Sequence, residues 1–208
     1  LDIVTFVYVS GQKVRVHTNA GDGTFTESPL SGGFYSGADF FTLGDVNGDG
    51  LPDFIGLHGT RLAVQLNNGD GAFVPELIGL TTTQTTRSKP VCVDLNTDGH
   101  RDIAYLTRGS LTSHPTYLNV HLNLGDGSFS AASRLSLGVI GTTFNLVSGD
   151  LDGDGDADLV LDGSRCTVLW NDGLAGFTPE QVFPIGASYP LAVSIGDADA
   201  DGDLDLLI

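Results

Sequence analysis

The chain has no methionine, two cysteines, one tryptophan and only nine basic side chains in 208 residues. So few Lys and Arg exclude the clustered cations that phosphate backbones require, and nucleic acid is not an expected partner. No stretch is apolar for long enough to cross a bilayer as a helix, so no membrane insertion is expected in this segment. No signal peptide is visible. The first residue is Leu1 and not Met, which marks a processed or excerpted chain and leaves a removed leader open. Cys92 and Cys166 both sit in apolar, strand-like runs, which suits small buried thiols; a single disulfide is the alternative, and sequence separation does not choose between them. The five histidines, His17, His58, His100, His114 and His121, contain no His-x-His pair, and no Gly-x-Ser-x-Gly elbow or phosphate loop is evident. No catalytic residues are assigned, and the chain is not expected to be an enzyme.

What the chain has is acid and glycine. Formal net charge is −17, and 16 of the 26 acidic side chains fall in four nine-residue stretches. Without those 16 carboxylates the net charge would be −1, and four bound Ca2+ would bring the whole chain to −9. The stretches are Asp45-Val46-Asn47-Gly48-Asp49-Gly50-Leu51-Pro52-Asp53, Asp94-Leu95-Asn96-Thr97-Asp98-Gly99-His100-Arg101-Asp102, Asp150-Leu151-Asp152-Gly153-Asp154-Gly155-Asp156-Ala157-Asp158 and Asp197-Ala198-Asp199-Ala200-Asp201-Gly202-Asp203-Leu204-Asp205. Each carries an oxygen side chain at positions 1, 3, 5 and 9 and Gly at position 6. Alternate residues of a tight loop can point inward together, and a hard cation wants several oxygens at about 2.3–2.6 Å. Glycine at position 6 permits the sharp turn. Position 7 would supply a backbone carbonyl, from Leu51, His100, Asp156 and Asp203. An EF-hand would need Glu at position 12, where Gly56, Tyr105, Leu161 and Ile208 stand. The short apolar runs after position 9 read as buried strands, so each loop is expected to join two strands.

A second motif alternates with the first. Residues 14–25, 62–73, 118–129 and 166–177 each run through period-2 alternation to an Asn, a Gly-rich turn and a Phe, which predicts a β-hairpin. In the fourth copy Gly173-Leu174-Ala175-Gly176 replaces the Gly-Asp-Gly core, and an altered turn is expected there. The first Asp of the acidic loops recurs at 45, 94, 150 and 197, and the Phe at 25, 73, 129 and 177. A period near 50 with four strands per unit predicts an all-β propeller of four-stranded antiparallel blades. The longer interval, from 94 to 150, is accounted for by an insertion at Thr107–Thr116. The expected divisions of this single repeat array (1–208) are a partial blade at 1–37, repeats at about 38–86, 87–142 and 143–190, and a partial blade at 191–208. Leu1-Asp2-Ile3-Val4 matches the end of an acidic loop and the strand after it, so both ends are expected to supply the same strand of a blade. The expectation is a segment of a longer array, of about seven or eight blades, completed by the parent chain or a second copy.

These motifs resemble the FG-GAP/VCBS-type repeat of integrin α-subunit propellers and of many secreted bacterial and fungal proteins, over nearly the whole chain. The resemblance implies a propeller whose blades each hold a mainly structural Ca2+ between the first two strands. The ligands carried over are Asp45, Asn47, Asp49, Leu51 and Asp53; Asp94, Asn96, Asp98, His100 and Asp102; Asp150, Asp152, Asp154, Asp156 and Asp158; and Asp197, Asp199, Asp201, Asp203 and Asp205. It further implies protein or glycan binding on a face or between blades, in an extracellular setting, secreted or at the cell surface. Three functions are therefore weighed: a calcium-dependent adhesion or ligand-binding module, a carbohydrate-binding lectin, and an accessory segment of a secreted polysaccharide-active enzyme. The single Trp170 and the lack of repeating Gly-Trp depart from known lectins of this type. Any ligand is sought near Tyr35, Phe40, Phe41, Tyr105, Tyr117 and Tyr189, most of which are expected in the core.

Overall fold

Short apolar runs separated by Gly- and Asp-rich turns fold as antiparallel strands because every turn reverses the chain within a few residues. The computed structural model describes residues 3–8, 12–28, 38–69, 73–76, 84–109, 114–140, 145–162, 166–183 and 193–207. They form eighteen strands in five antiparallel sheets, with no helix among the described residues. The first blade is β1 (Ile3–Tyr8), β2 (Gln12–Asn19) and β3 (Phe25–Ser28). The second is β4 (Phe40–Gly44), β5 (Asp53–His58), β6 (Arg61–Asn67) and β7 (Phe73–Glu76). The third is β8 (Thr85–Thr86), β9 (Val91–Val93), β10 (Asp102–Arg108), β11 (Thr116–His121) and β12 (Ser133–Ser136). The fourth is β13 (Leu146–Gly149), β14 (Asp158–Leu161), β15 (Cys166–Asn171) and β16 (Phe177–Phe183). The fifth is β17 (Ser194–Gly196) with β18 (Asp205–Leu207). The acidic loops join β4 to β5, β9 to β10, β13 to β14 and β17 to β18, and the inner strands β4, β9, β13 and β17 lie against one another in that order. Thr85 and Thr86, at the end of the 38–86 repeat, hydrogen-bond to β10 of the third blade. Strand β10 outruns β9, which covers only Asp102–Ala104, and β8 covers the edge left at Thr107 and Arg108.

Strands β5, β10 and β14 are buried on both faces, which is why they read as continuous apolar runs. Ile103 and Tyr105 of β10 pack with Val46, Ile55, Leu57, Leu62 and Val64 of the second blade. Their neighbours Ala104 and Leu106 point the other way, onto Leu146, Leu159, Leu161 and Leu169 of the fourth. Val160 of β14 then faces Cys166, Val168 and Val193. Period-2 alternation thus sends successive side chains into successive inter-blade cores. Both cysteines are free thiols, Cys166 fully buried and Cys92 half-buried, and burial pushes the Cys92 thiol up to about 12. Among the aromatics, Tyr105 is buried, Phe41 stacks on Phe54 at 5.6 Å, and Phe40 packs beside the Val46 cluster. Tyr117 is half-buried under the Arg134 guanidinium, 3.6 Å from its ring centroid. Tyr35, Tyr189, Asp2, Ile208 and the middle of the 107–116 insertion lie outside the described residues.

The fourth hairpin turn does not depart from the others as expected. Asp172 N–H donates to Gly176 C=O, as Ala20 N–H does to Thr24 and Leu124 N–H to Ser128. Ala175 takes a left-handed φ of 61° where Gly23 and Gly127 stand in the other turns. Asp172 Oδ1 accepts the Leu174 and Gly176 N–H groups, which holds that backbone in place.

His121 is fully buried and stacks on Tyr105. Its Nδ1 donates to Ser130 C=O at 2.9 Å, leaving Nε2 to face the Tyr105 hydroxyl at 3.4 Å. Burial lowers its pKa, against the Ser130 bond. A histidine whose folded pKa lies below its unfolded value of about 6.5 contributes stability that is present above 6.5 and lost as pH falls toward the folded pKa. Urea midpoints in saturating Ca2+ are expected to drop between pH 7.5 and 5.5, and His121→Phe to flatten that slope.

Candidate metal centres

The four acidic loops fold on their own carboxylates. At position 1, Asp45 Oδ1 accepts Gly48 N–H at 2.7 Å and Oδ2 accepts Gly50 N–H at 2.8 Å. Asp94 Oδ2 accepts Gly99 N–H, Asp150 accepts Gly153 and Gly155, and Asp197 Oδ2 accepts Gly202. Position 3 accepts the N–H of position 5, and position 5 accepts the N–H of position 7, in all four loops. Each loop is thereby wound by hydrogen bonds from its own backbone to its own polar side chains. Positions 4 and 6 both adopt left-handed φ, at Gly48 and Gly50, Thr97 and Gly99, Gly153 and Gly155, and Ala200 and Gly202. The sequence reading asks for glycine only at position 6. Side chains at position 4 are strained by about 1 kcal/mol. Ala200→Gly, which has no described side-chain contact to lose, is expected to stabilise the chain by about 0.5–1 kcal/mol in chemical denaturation.

Position 9 is where the loops join the blades. Asp53, Asp102 and Asp158 are buried, and each receives two backbone N–H groups. Oδ2 accepts from position 2 of its loop: Val46 at 2.9 Å, Leu95 at 2.9 Å and Leu151 at 3.1 Å. Oδ1 accepts from the hairpin asparagine of the same blade: Asn67 at 2.8 Å, Asn123 at 2.8 Å and Asn171 at 2.9 Å. Asp205 is half-buried and accepts Ala198 N–H at 2.8 Å. Burial raises the pKa of Asp53, Asp102 and Asp158, against the lowering effect of those N–H groups. A bound cation would be the natural counter-charge for such a group.

The loops divide electrostatically into two pairs. Asn47 and Asn96 at position 3 donate Nδ2 to Asp49 and Asp98 at 2.9 Å. Asp152 and Asp199 hold that place in the other two loops and have no proton to give. One carboxylate oxygen from each of Asp150, Asp152 and Asp158 lies within 4.8 Å of the others, and the same holds for Asp197, Asp199 and Asp205. Asp156, at position 7, is 8% exposed, and its Oδ1 has no hydrogen-bond partner. Burial, then the charges of Asp154, Asp158, Asp152 and Asp150, push its carboxyl up to about 6. This donor set, all oxygen and short of positive charge, fits a hard divalent cation.

The structure also gives roles to residues that the sequence reading passed over. Side chains at position 7 press on the first glycine of the hairpin turn: a Cβ on Gly69 would lie 3.3 Å from Leu51, one on Gly125 would lie 2.6 Å from His100, and one on Gly173 would lie 3.1 Å from Asp156. Position 2 is buried as Val46 and Leu95, in the core shared with the next blade. The hairpin asparagines reach the preceding loop: Asn123 Nδ2 donates to Val46 C=O at 2.7 Å and Asn171 Nδ2 to Leu95 C=O at 2.9 Å. Their recurrence at the same turn position in all four hairpins is the sequence signal for this role.

A family model of the FG-GAP-like repeat matches the chain three times, at residues 1–56, 45–105 and 94–161. The chain belongs to the FG-GAP-like repeat family. Successive matches overlap at the acidic loops 45–53 and 94–102, so each spans from one loop region to the strand beyond the next. No curated protein sequence matches the chain. Among solved structures, an Agrocybe aegerita lectin described for specific recognition of non-reducing terminal N-acetylglucosamine aligns with a TM-score of 0.67 at 21% identity, over 99% of this chain and 60% of the lectin. The FG-GAP-like chain thus spans 60% of that lectin's length, and the likeness concerns the fold alone. The Photorhabdus luminescens Tc holotoxin pore aligns with a TM-score of 0.31 at 17% identity, over 99% of this chain and 13% of that one, too low a score to bear on the fold. Antiparallel blades, the repeat family and the lectin's fold together make this an all-β protein built of β-propeller blades.

Proposed function

We propose that the chain is a calcium-holding β-propeller binding module of the extracellular space, and not a catalyst. The observation that supports it is one oxygen-rich loop in four copies, with like charges brought together in the 150–158 and 197–205 copies. Ca2+ would be held by the side chains at positions 1, 3, 5 and 9 and the carbonyl at position 7 of each loop. When bound it supplies positive charge that cancels carboxylate repulsion and fixes the loop on which the next blade rests. Millimolar extracellular Ca2+ matches weak, rigid sites of this kind. Calorimetric titration of the EGTA-stripped chain is expected to show up to four Ca2+ bound with Kd of about 10⁻⁴–10⁻³ M and much weaker Mg2+ binding. No Ca2+ uptake would sink this reading.

A second reading, glycan binding, is favoured by one groove. It measures about 200 Å³ and lies between the third and fourth blades. Leu118, Val120 and Leu135 give it an apolar floor, Phe177 closes one side, and Arg134 stands at the rim. Arg134 is held over Tyr117 and donates to Gln84, which leaves a fixed cationic donor beside an apolar surface. That combination suits a sugar ring, with one apolar face and hydroxyls at its edge. The lectin's fold adds to it. A glycan array in Ca2+ buffer, beginning with N-acetylglucosamine-terminated glycans, is expected to show binding that Arg134→Ala weakens about tenfold, the loss of one charged hydrogen bond. An array with no binding would leave a protein ligand as the alternative.

A further inference from the structure

We propose that Asn123 and Asn171 are positioning residues that couple the metal loops of successive blades, so that Ca2+ binding in one loop strengthens binding in its neighbours. This rests on the calcium reading above. The coupling follows one hydrogen-bonded line through three loops. Asp53 Oδ2 accepts Val46 N–H, and Val46 C=O accepts Asn123 Nδ2. Asn123 N–H donates to Asp102 Oδ1, and Asp102 Oδ2 accepts Leu95 N–H. Leu95 C=O accepts Asn171 Nδ2, and Asn171 N–H donates to Asp158 Oδ1. Every bond is between 2.7 and 2.9 Å. Val46, Leu95, Asp53, Asp102, Asp158 and Asn123 are all at most 3% exposed.

The line is buried from Asp53 to Leu95 and half-buried at Asn171, so water competes poorly for a bond that lengthens, and a carboxylate drawn toward a cation would shift its partners with it. Asn123 holds the position-9 carboxylate of its own blade with its backbone and the loop of the preceding blade with its side chain. Whatever fixes either end reduces the freedom the other end must lose on binding, and the coupling is reciprocal. Two further bonds reinforce the second junction: Ala175 N–H to Leu95 C=O at 2.9 Å, and Thr97 Oγ1 to Gly173 C=O at 3.4 Å. Asn67 provides an internal comparison. Its N–H holds Asp53 and its Nδ2 donates to Pro52 C=O of its own loop, as Asn123 and Asn171 donate to Arg101 and Ala157 C=O, but among the described residues it makes no bond to a preceding loop.

The test is a Ca2+ titration of the whole chain followed by NMR at the Gly50, Gly99 and Gly155 amides, the position-6 donors of the three loops. Asp98→Asn disables the middle loop at an exposed, isosteric position. It is expected to weaken Ca2+ binding about fivefold or more at both Gly50 and Gly155, the lower end of usual site–site coupling. Adding Asn123→Ala is expected to abolish the effect at Gly50 and keep it at Gly155, whereas adding Asn67→Ala leaves both. Should Asn123→Ala not fold, Asn171→Ala gives the mirrored result: the effect at Gly155 shrinks and that at Gly50 stays. If Asp98→Asn changes neither neighbour by more than about twofold, or Asn67→Ala uncouples as fully as Asn123→Ala, the coupling is overturned while calcium binding stands. If none of the three glycines responds to Ca2+, the calcium reading itself falls.

Discussion

Adding 10 mM Ca2+ to the EGTA-treated chain is expected to raise its unfolding free energy by about 6–11 kcal/mol. At Kd of about 10⁻⁴–10⁻³ M each loop contributes about 1.4–2.7 kcal/mol, and there are four loops. That is comparable to the whole stability of an ordinary domain, about 5–15 kcal/mol. The size has two causes. The unfolded chain spreads its carboxylates apart and does not hold the ion, whereas the folded 150–158 and 197–205 loops each bring three within 4.8 Å. The loops also carry the inter-blade contacts, so loosening them frees Val46 and Leu95 from the cores they share with the next blade. Urea unfolding in EGTA, in Ca2+ and in Mg2+ measures the effect. Equal midpoints in all three would remove calcium from the account. The two loops with five acidic side chains should contribute most. Asp152→Asn is therefore expected to stabilise the EGTA-treated chain by a few tenths of a kcal/mol, through relief of like charge, while lowering Ca2+ affinity at the 150–158 loop.

Asp102→Ala is expected to cost about 3–5 kcal/mol even without Ca2+. The carboxylate is fully buried and satisfies two backbone N–H groups, those of Leu95 and Asn123. Truncation leaves both buried and unpaired, at about 1–3 kcal/mol each, and opens a void at the loop–hairpin junction. Some of this is offset, because burial already strains the ionised carboxylate. The half-buried Asp205 accepts one described N–H, so Asp205→Ala is expected to cost only about 1 kcal/mol. Urea unfolding of both variants in EGTA separates the anchoring role of position 9 from its role toward the ion. No loss for either variant in EGTA would show that position 9 acts only through the metal.

Much of this was legible in the linear chain because the motifs repeat. A single Asp-x-Asn-x-Asp-Gly stretch is an acidic turn; four at a spacing near 50, each followed by an apolar run, specify strand–loop–strand units whose register the hairpin Asn and Phe then pin. The pairing of Asn67 with Phe73 and Asn171 with Phe177 follows that pattern. The fourth turn did not, because composition alone could not say that Ala175 would accept a left-handed backbone held by Asp172. Thr97 and Ala200 were missed for the same reason: a positive φ imposed by a loop's own carboxylates is a property of the closed ring of hydrogen bonds, not of the residue.

The sequence by itself determined the strand-and-loop periodicity, the all-β class and the set of oxygen side chains available to a cation, since these depend on residue type at short range. Tertiary structure decided what those residues are to one another. Only the stacking of blades sends Ile103 one way and Ala104 the other, buries Asp102 under two N–H groups, strands the Asp156 carboxylate among its neighbours, and brings the Asn123 amide to the Val46 carbonyl, 77 residues away in the chain. Contacts at that separation arise from the packing of whole sheets, and a pattern read along the chain does not contain them.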